Sequence, residues 1–558
     1  MHRPGLESLE SRQLLAASLT NADVRTILGQ AASQTLSASF DEEVIAVTDR
    51  DANVLGVFAR SGVDLNSPRG QEIRLLAIAR ARTAALFASN DNAFTSRTAR
   101  FIIQDHFPQP INGTPGGPLY GVQYSNLIGS DVVSNAPAIS GDPGGVPLYI
   151  DGQAVGGVGA AGDGHDVLAR KELDLLDNYK QGPDVYQGRE EADADEGIAL
   201  AGAAGYMAPK QIQATTIFLD GLRLPFTATD PADDFKTRTL TSLINSGVGA
   251  IAGAGAVSGV VIGTPESPFP AATFAGVRGL LKRPASASPD PTNPNYGIEG
   301  SGGDPAVSLT SNDVRRVINN AVFQATQTRG GIRRPAGTAA LVHVSVVDTQ
   351  GRILGVFAED GATNFSYDVA VQKARTANFF SDDSHAFSTR AIGFLSQRDF
   401  PPGIDGDDVG PLFGVQDALS KRRSRVLTLR KTTFAQDNPL NNGITIFPGG
   451  VPLYKNGVLV GAVGVSGDGV DQDDLIASAG ASHYKPINAI RSDELSKQSV
   501  RDFITSKARQ LFDLFGSDYA TSKSPALQAD LRIEDVIDRL ENLDYRVPYV
   551  KFPRNPSV

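Results

Sequence analysis

The feature that most constrains this 558-residue chain is an internal repeat. Five segments recur in the same order: LGVFA at 55–59 and 354–358, ARTA at 81–84 and 374–377, PLYGVQ at 118–123 with PLFGVQ at 411–416, PGGVPLY at 143–149 and 448–454, and VGGVGAAGDG at 155–164 with VGAVGVSGDG at 460–469. Long matches of mixed residue types do not arise from biased composition, so the chain contains the same domain twice.

The repeat sets the expected domain boundaries. We expect copy 1 at 19–227, a linker rich in Gly, Pro and Ala at 228–307, and copy 2 at 308–554. Copy 2 ends late because a helical insertion is expected near 491–528, after which the chain resembles the end of copy 1.

Residues 1–18 are expected to be a leader. They lack the apolar stretch of a secretory signal. However, the segment LESLESRQLLA resembles a short leader found at the start of many exported or surface proteins in some bacteria. This resemblance predicts a location outside the cytoplasm, at the cell surface or in the periplasmic or extracellular space.

Each copy shows the same order of predicted elements. Thr20 and Thr310 are predicted helix N-caps because Asp follows each of them three residues later. Two strands, a helix carrying ARTA and a hairpin of two buried strands come next, with hairpin turns at Asp151-Gly152 and Asn456-Gly457. A last helix begins in an acidic stretch. The order α-β-β-α-β-β-α predicts an α+β fold, with a central antiparallel sheet flanked by helices in each copy.

Composition excludes several classes of function. The chain has no Cys, which excludes disulfides, thiolate metal sites and Cys nucleophiles. A net charge of −11 argues against binding nucleic acid. The longest apolar run, at 248–263, is too short for a membrane-spanning helix, and we interpret it as packed strand or loop. No hydrolase or transferase motif is apparent, so any catalysis would depend on a bound cofactor.

The repeated motifs resemble those of the GlcG/HbpS family of haem-binding domains, to which the C-terminal domain of PduO-type cobalamin adenosyltransferases is related. The resemblance is carried by VVDxxGxxL, KARTA, PLYGVQ and GGVPLYKNGVLVGAVGVSGDG, and it covers nearly the whole chain outside the leader, linker and insertion. It implies a profilin-like domain, oligomerisation and haem as the cofactor. Some relatives are described as haem-degrading or as haem sensors.

A haem site needs an apolar slot and cations for the two propionates, with an optional axial ligand to iron. The glycine pairs of the hairpin permit positive φ and close approach, either by another backbone or by a flat ligand. Arginines at equivalent positions of the two copies could bind the propionates, although a solvated or capping role is at least as expected as a propionate contact. Tyr120 and Phe413 also occupy equivalent positions, and only the tyrosine could ligate iron. The candidate haem-binding residues are Arg82, Thr83, Arg97, Tyr120, Gly144, Gly145, Arg375, Thr376, Arg390, Gly449 and Gly450.

The six histidines do not identify an iron ligand, because none is shared by both copies. We therefore expect each to be exposed or hydrogen-bonded, and haem binding to be weak, ligated by oxygen or confined to one copy. The acidic segments GDGHD and GDGVDQDD lack the full spacing of a calcium loop. The favoured interpretation is an acidic first helical turn that complements the helix dipole.

Two functional hypotheses remain open. The first is a tandem haem-binding protein that carries or senses haem outside the cytoplasm, with haem degradation implied by resemblance alone. The second is a non-catalytic structural or interaction scaffold, or a binder of another small molecule, with no haem. In either case the two copies are expected to pair within the chain as a mimic of an isologous dimer, with further oligomerisation possible.

Overall fold

The structure is a computed structural model. It describes residues 17–103, 117–119, 132, 139–162, 192–219, 221–229, 237–252, 269–282, 297–397, 399–402, 408–416, 418, 439–514, 531–553 and 557–558. Tyr120 and the predicted leader through residue 16 lie outside these ranges. No helix within them is long and apolar enough to cross a membrane.

In its described residues copy 1 follows the predicted order, with the short helix α3 and the two-residue strands β5 and β6 in addition. Its elements are α1 (Asn21–Gln34), β1 (Val44–Asp49), β2 (Val54–Arg60), α2 (Pro68–Phe87), α3 (Ser96–Ile102), β3 (Gly145–Ile150), β4 (Gln153–Ala161), α4 (Ala194–Gly202), β5 (Phe218–Leu219) and β6 (Leu222–Arg223).

Copy 2 repeats this order and adds two helices near its end. The elements between the copies are α5 (Leu240–Asn245), β7 (Gly249–Ile251), β8 (Ala271–Phe274) and β9 (Val277–Leu281). Those of copy 2 are α6 (Ser311–Gln327), β10 (His343–Val347), β11 (Ile353–Glu359), α7 (Ser366–Phe379), α8 (Thr389–Leu395), β12 (Gly450–Lys455), β13 (Val458–Ser466), α9 (Val470–Gly480), α10 (Lys497–Leu514) and α11 (Ile533–Glu541).

Each copy is built on one sheet. The strand orders are β3-β4-β1-β2-β7 and β12-β13-β10-β11-β9-β8, and every strand pair is antiparallel. The registers are equivalent: Val44 pairs with Ala59 and Ala161, as His343 pairs with Ala358 and Ser466. The predicted α+β class, with an antiparallel sheet and flanking helices in each of two copies, is confirmed.

The segment expected to be a linker also extends both sheets. Strand β7 adds an edge strand to the copy 1 sheet through β2, and β9 does the same in copy 2 through β11. Gly249 and Gly279 each sit against a Phe ring, at positions where a Cβ would come within 2.5 and 2.6 Å of the ring. Strand β7 lies in the apolar run at 248–263 that we interpret as packed strand or loop, and the lack of a side chain at Gly249 and Gly279 lets each edge strand pack over a large ring.

Local signals formed as predicted. Thr20 and Asp23 make a reciprocal capping box at the start of α1, and Thr310 and Asp313 make the same box at the start of α6. In the hairpin turns, Asp151 and Asn456 have φ of 49° and 51°, each followed by a glycine with positive φ. These turns match the twist of the flanking strands, which fixes the register of each hairpin.

Helices pack on both faces of each sheet. Helix α2 lies on one face of the copy 1 sheet, and α1 with α4 on the other; α7, and α6 with α9, take these places in copy 2. A Cβ on Gly157 or Gly159 would lie 2.1 or 2.2 Å from a carbonyl oxygen of α2. The glycine-rich strand therefore lets the helix backbone lie directly on the sheet, and the small residues of ARTA serve the same close approach.

Helices α10 and α11 lie in an excursion, an inserted segment of the chain that begins and ends in copy 2. Thr95 donates a hydrogen bond to the carbonyl oxygen of Phe226 (2.5 Å), and its counterpart Ser388 donates one to that of Tyr549. The predicted similarity between the two chain ends is thus a structural equivalence. The excursion has no counterpart in the part of copy 1 that the structure describes.

The two copies contact each other, but not as an isologous pair. The ring of Phe87, at the C-terminal end of α2, stacks on Phe365 at the N-terminal end of α7, with centroids 4.5 Å apart. Arg50 of copy 1 donates to the carbonyl oxygen of Ala362 (3.1 Å). Different ends of equivalent elements therefore meet, which makes the contact heterologous. The expected mimic of an isologous dimer is wrong in this respect.

Candidate functional site

The glycine pairs in the hairpins pack against their own helices. Gly144 and Gly449 have φ of 113° and 111°, which favours glycine. A Cβ on Gly145 would lie 2.3 Å from the carbonyl oxygen of Arg80, and one on Gly450 would lie 2.4 Å from that of Lys373. The helix backbone thus occupies the space that a planar ligand would need, so these positions have the packing role of a bend entering a hairpin.

The Arg-Thr pairs in ARTA bind loops of their own copy. Arg82 and Arg375 donate from Nε to the carbonyl oxygens of Ala52 (3.0 Å) and Gly351 (2.9 Å), in the equivalent β-turns. The threonine hydroxyls accept backbone N–H groups of the segment before each hairpin: Thr83 from Ser140 at 2.8 Å and Thr376 from Thr445 at 3.0 Å. These side chains hold turns and loops against the helix.

The second pair of arginines forms ion pairs with the acidic start of the last helix. Arg97, 2% exposed, is bidentate to Glu196 at 2.8 and 3.1 Å. Arg390 binds Asp471 at 2.5 Å and also Asp474. Because both guanidinium groups are engaged by carboxylates of the chain, the described geometry assigns them to the attachment of α4 and α9 rather than to propionates.

Sequence reasoning missed a further ion pair in each copy. Arg80 binds Asp195 at 2.5 Å and Lys373 binds Asp473 at 2.7 Å, and all four side chains are buried. Burial raises the pKa of Asp473 to about 6 and lowers that of Lys373, while each charge partly offsets the other's shift. A signal was available: the repeat aligns Arg80 with Lys373 and Asp195 with Asp473. The acidic turn thus supplies internal counter-ions as well as a favourable charge at a helix N-terminus.

The three histidines that the structure describes lie in different environments. His343 is 1% exposed on β10, and neither ring nitrogen has a hydrogen-bond partner among the described residues, contrary to expectation. His385 bonds Asp382 (2.9 Å) and Ser499 (3.1 Å). His483 is exposed, as expected, and its Nδ1 lies 3.2 Å from Ser482 Oγ. No group of three or more potential metal ligands is found in the described part of the chain.

His483 lines an open groove of about 440 Å³ in copy 2. The groove lies between the start of α6, the β12–β13 turn and the segment after α9, and its other lining residues are Asp313, Arg316, Asp383, Tyr454, Lys455, Asn456, Gly457, Tyr484, Lys485, Ile487 and Ile490. Its volume falls in the range of about 300–1,000 Å³ typical of small-molecule sites. We refer to it as the copy 2 groove.

The basic residues of the copy 2 groove are specific to copy 2. Arg316, Lys455, His483 and Lys485 stand where copy 1 has Thr26, Ile150, Gly205 and Met207, in that order. The acidic Asp313 is already satisfied by Lys455 (3.0 Å) and Tyr484 (2.6 Å), and its hydrogen bonds hold its pKa well below the usual value despite burial. The groove is therefore a mixed surface of cations, an imidazole and exposed isoleucine, of a kind that suits an amphipathic anion.

A second cavity, of about 60 Å³, lies between the copies. Its wall is mainly apolar and includes Phe87 and Phe94 of copy 1 with Phe365, Val369 and Phe447 of copy 2. The volume is far below the size of a small-molecule site. Among the described residues this seam holds at most a few water molecules.

Three further titratable side chains are buried in copy 2 and at the end of the strand that precedes it. Lys282, Glu359 and His343 are each at most 7% exposed, and the His343 ring stacks on Tyr367 with centroids 6.1 Å apart. Burial raises the pKa of Glu359 to about 8 and lowers that of Lys282. Burial and nearby cations also hold the pKa of His343 well below its usual value. The imidazole and the carboxyl are therefore neutral at neutral pH.

The chain matches one family model in both copies. The model is described as "Haem degrading protein HbpS-like", and it matches residues 19–167 and 309–482. Among curated proteins, an uncharacterised 15.0 kDa protein of the dhaT–dhaS intergenic region of Citrobacter freundii is 32% identical over 133 residues. The match covers 24% of this chain and 68% of that protein.

Solved structures of low identity are also similar. A PduOC–haem complex is 22% identical and Klebsiella pneumoniae ORFY is 23% identical, covering 32% and 33% of this chain and 95% of each of theirs, both with a TM-score of 0.21. A double mutant of Streptomyces reticuli HbpS is 22% identical, covering 36% of this chain and 98% of that one, with a TM-score of 0.18. Since the family model spans more than half of the sequence, in two segments that follow the repeat, this chain belongs to the HbpS-like family and carries two tandem copies of its domain.

Proposed function

We propose that this protein binds haem in the copy 2 groove, with one haem per chain. Membership of a family named for haem degradation supports haem as the ligand. The observation that favours the groove is the convergence of His483 with Lys485 and Arg316, in a cleft of about 440 Å³ that copy 1 does not match in charge. The other candidate residues that the structure describes, such as Arg97 and Gly145, make contacts within the chain instead.

The groove residues fit the chemical requirements of the ligand. The imidazole of His483 can ligate iron through Nε2 in the tautomer in which Nδ1–H donates to Ser482 Oγ (3.2 Å), because a ligating histidine donates its other ring N–H to an acceptor. Lys485 and Arg316 would bind propionate carboxylates. Ile487, 66% exposed, offers apolar surface for the macrocycle. Bound haem would supply a redox-active iron.

A carrying or sensing role outside the cytoplasm extends this proposal. An open groove suits reversible binding better than an enclosed reaction chamber. The leader-like segment LESLESRQLLA supports export. Fractionation of the source cells, with immunodetection of the chain, tests the location: recovery with the cytosol alone would refute export.

Hemin titration of the full chain tests the proposal, followed by the Soret band. We expect saturation at one equivalent, and a shifted band with weaker binding in His483→Gly and Lys485→Met, which install the copy 1 residues. The matched control is His385→Asn, which also installs the copy 1 residue but lies outside the groove. Equal binding by His483→Gly would refute the groove, and no saturable binding would refute haem.

The scaffold hypothesis is the second candidate, and one observation favours it. The glycine and arginine positions shared by both copies serve packing and internal ion pairs in each copy. A failed hemin titration of a folded chain would leave this function as the better account.

A further inference from the structure

The C-terminal end of α2 carries an apolar face that holds copy 2. Phe87 stacks on Phe365, and the backbone N–H of Phe365 donates to the carbonyl oxygen of Leu86 (3.2 Å). Phe94, which follows α2, lines the seam with them. In copy 1 this face is therefore a domain-docking surface, and its occupant is a second copy of the same domain.

Copy 2 carries the equivalent face at the end of α7. The counterparts of Leu86, Phe87 and Phe94 are the even more aromatic Phe379, Phe380 and Phe387. All three lie in one buried cluster with residues of α10 and α11. Phe503 of α10 stacks on Phe387, with centroids 5.3 Å apart.

The copy 2 face is covered by α10 and α11, which have no counterpart among the described residues of copy 1. Copy 1 passes from Gln213 to Leu224 by a short connection, whereas copy 2 makes its excursion between the counterparts Arg491 and Val547. Apolar residues of both helices, among them Ile504 and Leu540, are buried in the cluster with the copy 2 face. We refer to α10 and α11 together as the cap.

Part of the copy 2 face remains open beside the cap. A groove of about 560 Å³ is lined by Thr349 and Phe379 on one side and by Lys507 and Leu514 of α10 on the other. Thr349 and Phe379 are the counterparts of Arg50 and Leu86 in copy 1. Both of those residues form hydrogen bonds with copy 2, Arg50 through its guanidinium and Leu86 through its carbonyl oxygen. Leu514 is 39% exposed at this edge.

We infer that the cap covers a docking surface for another copy of this chain. A heterologous contact leaves the same surface unused at one end of the pair, so that repeating the contact would give open chains. The cap covers on copy 2 the same face that copy 2 covers on copy 1. The cap thereby limits the head-to-tail contacts to the two domains of one chain. If the cap were displaced, a second chain could dock head to tail on this face.

The opposite end of the pair sets the strength of such docking. A second chain would present the start of α2, where Leu75 is 52% exposed. Glu72 stands there in the position of Phe365, so the contact lacks the aromatic ring that copy 2 contributes. We therefore expect weak, concentration-dependent association of the uncapped chain, strengthened by Glu72→Phe.

The test replaces residues 493–545 by the sequence of residues 215–222, which gives copy 2 the short connection of copy 1. Cysteines introduced by Glu72→Cys and Phe379→Cys then report the docked contact, since the chain has no other cysteine. We expect intermolecular cross-links on mild oxidation, and larger species by sedimentation as concentration rises. The same cysteines in the capped chain should give neither, and Thr26→Cys in place of Glu72→Cys should abolish the cross-link.

A monomeric, folded uncapped chain would overturn the inference, as would association without this specific cross-link. If circular dichroism shows that the replacement does not fold, the capped chain carrying Phe503→Ala and the same cysteine pair provides the test. We expect it to cross-link faster than the chain with Phe503 intact, because the cap is then loosened. Equal rates would overturn the inference.

Discussion

Glu359 provides a sharp test of the electrostatics at the seam between the copies. Its side chain is 3% exposed at the end of β11, and Oε1 has no hydrogen-bond partner among the described residues. Burial raises its pKa from 4.5 to about 8, although Arg333 partly opposes the shift. In the folded chain the carboxyl therefore keeps its proton at neutral pH, and Glu359→Gln replaces it with a permanently neutral group of similar shape.

The sign and size of the effect follow from linkage. Above pH 4.5 the unfolded chain releases this proton while the folded chain retains it, so the contribution of Glu359 to folding stability falls as pH rises towards 8. Each pKa unit corresponds to 1.36 kcal/mol, so between about pH 5 and about pH 9 the loss approaches about 4 kcal/mol. The glutamine variant does not share this loss, and it should become the more stable chain at high pH.

Urea unfolding at both pH values measures the effect. Circular dichroism is the suitable signal because the chain has no Trp. At each pH we take the difference in unfolding free energy between wild type and Glu359→Gln, and we then compare this difference between the two pH values. Groups that titrate in both chains cancel in the difference. Glu541→Gln, at an exposed position on α11, controls for the removal of a surface carboxylate.

A stability difference between wild type and Glu359→Gln that is the same at both pH values would refute this reasoning. It would mean that Glu359 has similar proton affinity in the folded and unfolded chains. A stability difference that changes with pH as much in the Glu541→Gln control as in Glu359→Gln would show instead that net charge, rather than burial, governs the pH dependence.

Three further predictions concern packing. Gly145→Ala should destabilise the chain by about 1–3 kcal/mol, because the added Cβ would lie 2.3 Å from the carbonyl oxygen of Arg80; a lower melting temperature checks this. Asp473→Asn should cost about 3–5 kcal/mol in urea unfolding, because it leaves the buried Lys373 without its counter-ion. Phe365→Ala should cost about 3–5 kcal/mol and separate the unfolding of the two copies in calorimetry, because it removes the ring that stacks on copy 1.

Each of these predictions has a result that contradicts it. An unchanged melting temperature for Gly145→Ala would mean that α2 does not lie against the hairpin. For Asp473→Asn, a loss no larger than that of Asp535→Asn on the cap would argue against a buried pair. A single unaltered calorimetric transition in Phe365→Ala would show that the stack does not couple the copies.

The sequence predicted the features that depend on neighbouring residues. The capping boxes at Thr20 and Thr310 and the turns at Asp151 and Asn456 are closed by residues within a few positions of one another, so their signals are complete in short segments. The repeat also predicted that the domain occurs twice and that copy 2 resumes after an insertion. The family followed from the same motifs.

The partners of the predicted site residues could not be predicted from the sequence, because they lie far away in the chain. The arginine Arg97 looks like an available cation in its own segment, and only the fold brings Glu196 to it. The glycines of the hairpin are compatible with a flat ligand or a helix, and only packing shows that α2 and α7 occupy the space. His483 was noted as unmatched in copy 1, but its basic neighbours come from three separate segments.

The sequence by itself therefore determined the fold class, the duplication and the local elements, because each of these is encoded by adjacent or repeated residues. The tertiary structure alone decided which charges are neutralised inside the chain, which basic residues share the copy 2 groove, and that the copies meet head to tail with the second one capped. Those features depend on contacts between residues far apart in the chain, whose free energies are set by burial and geometry rather than by local pattern.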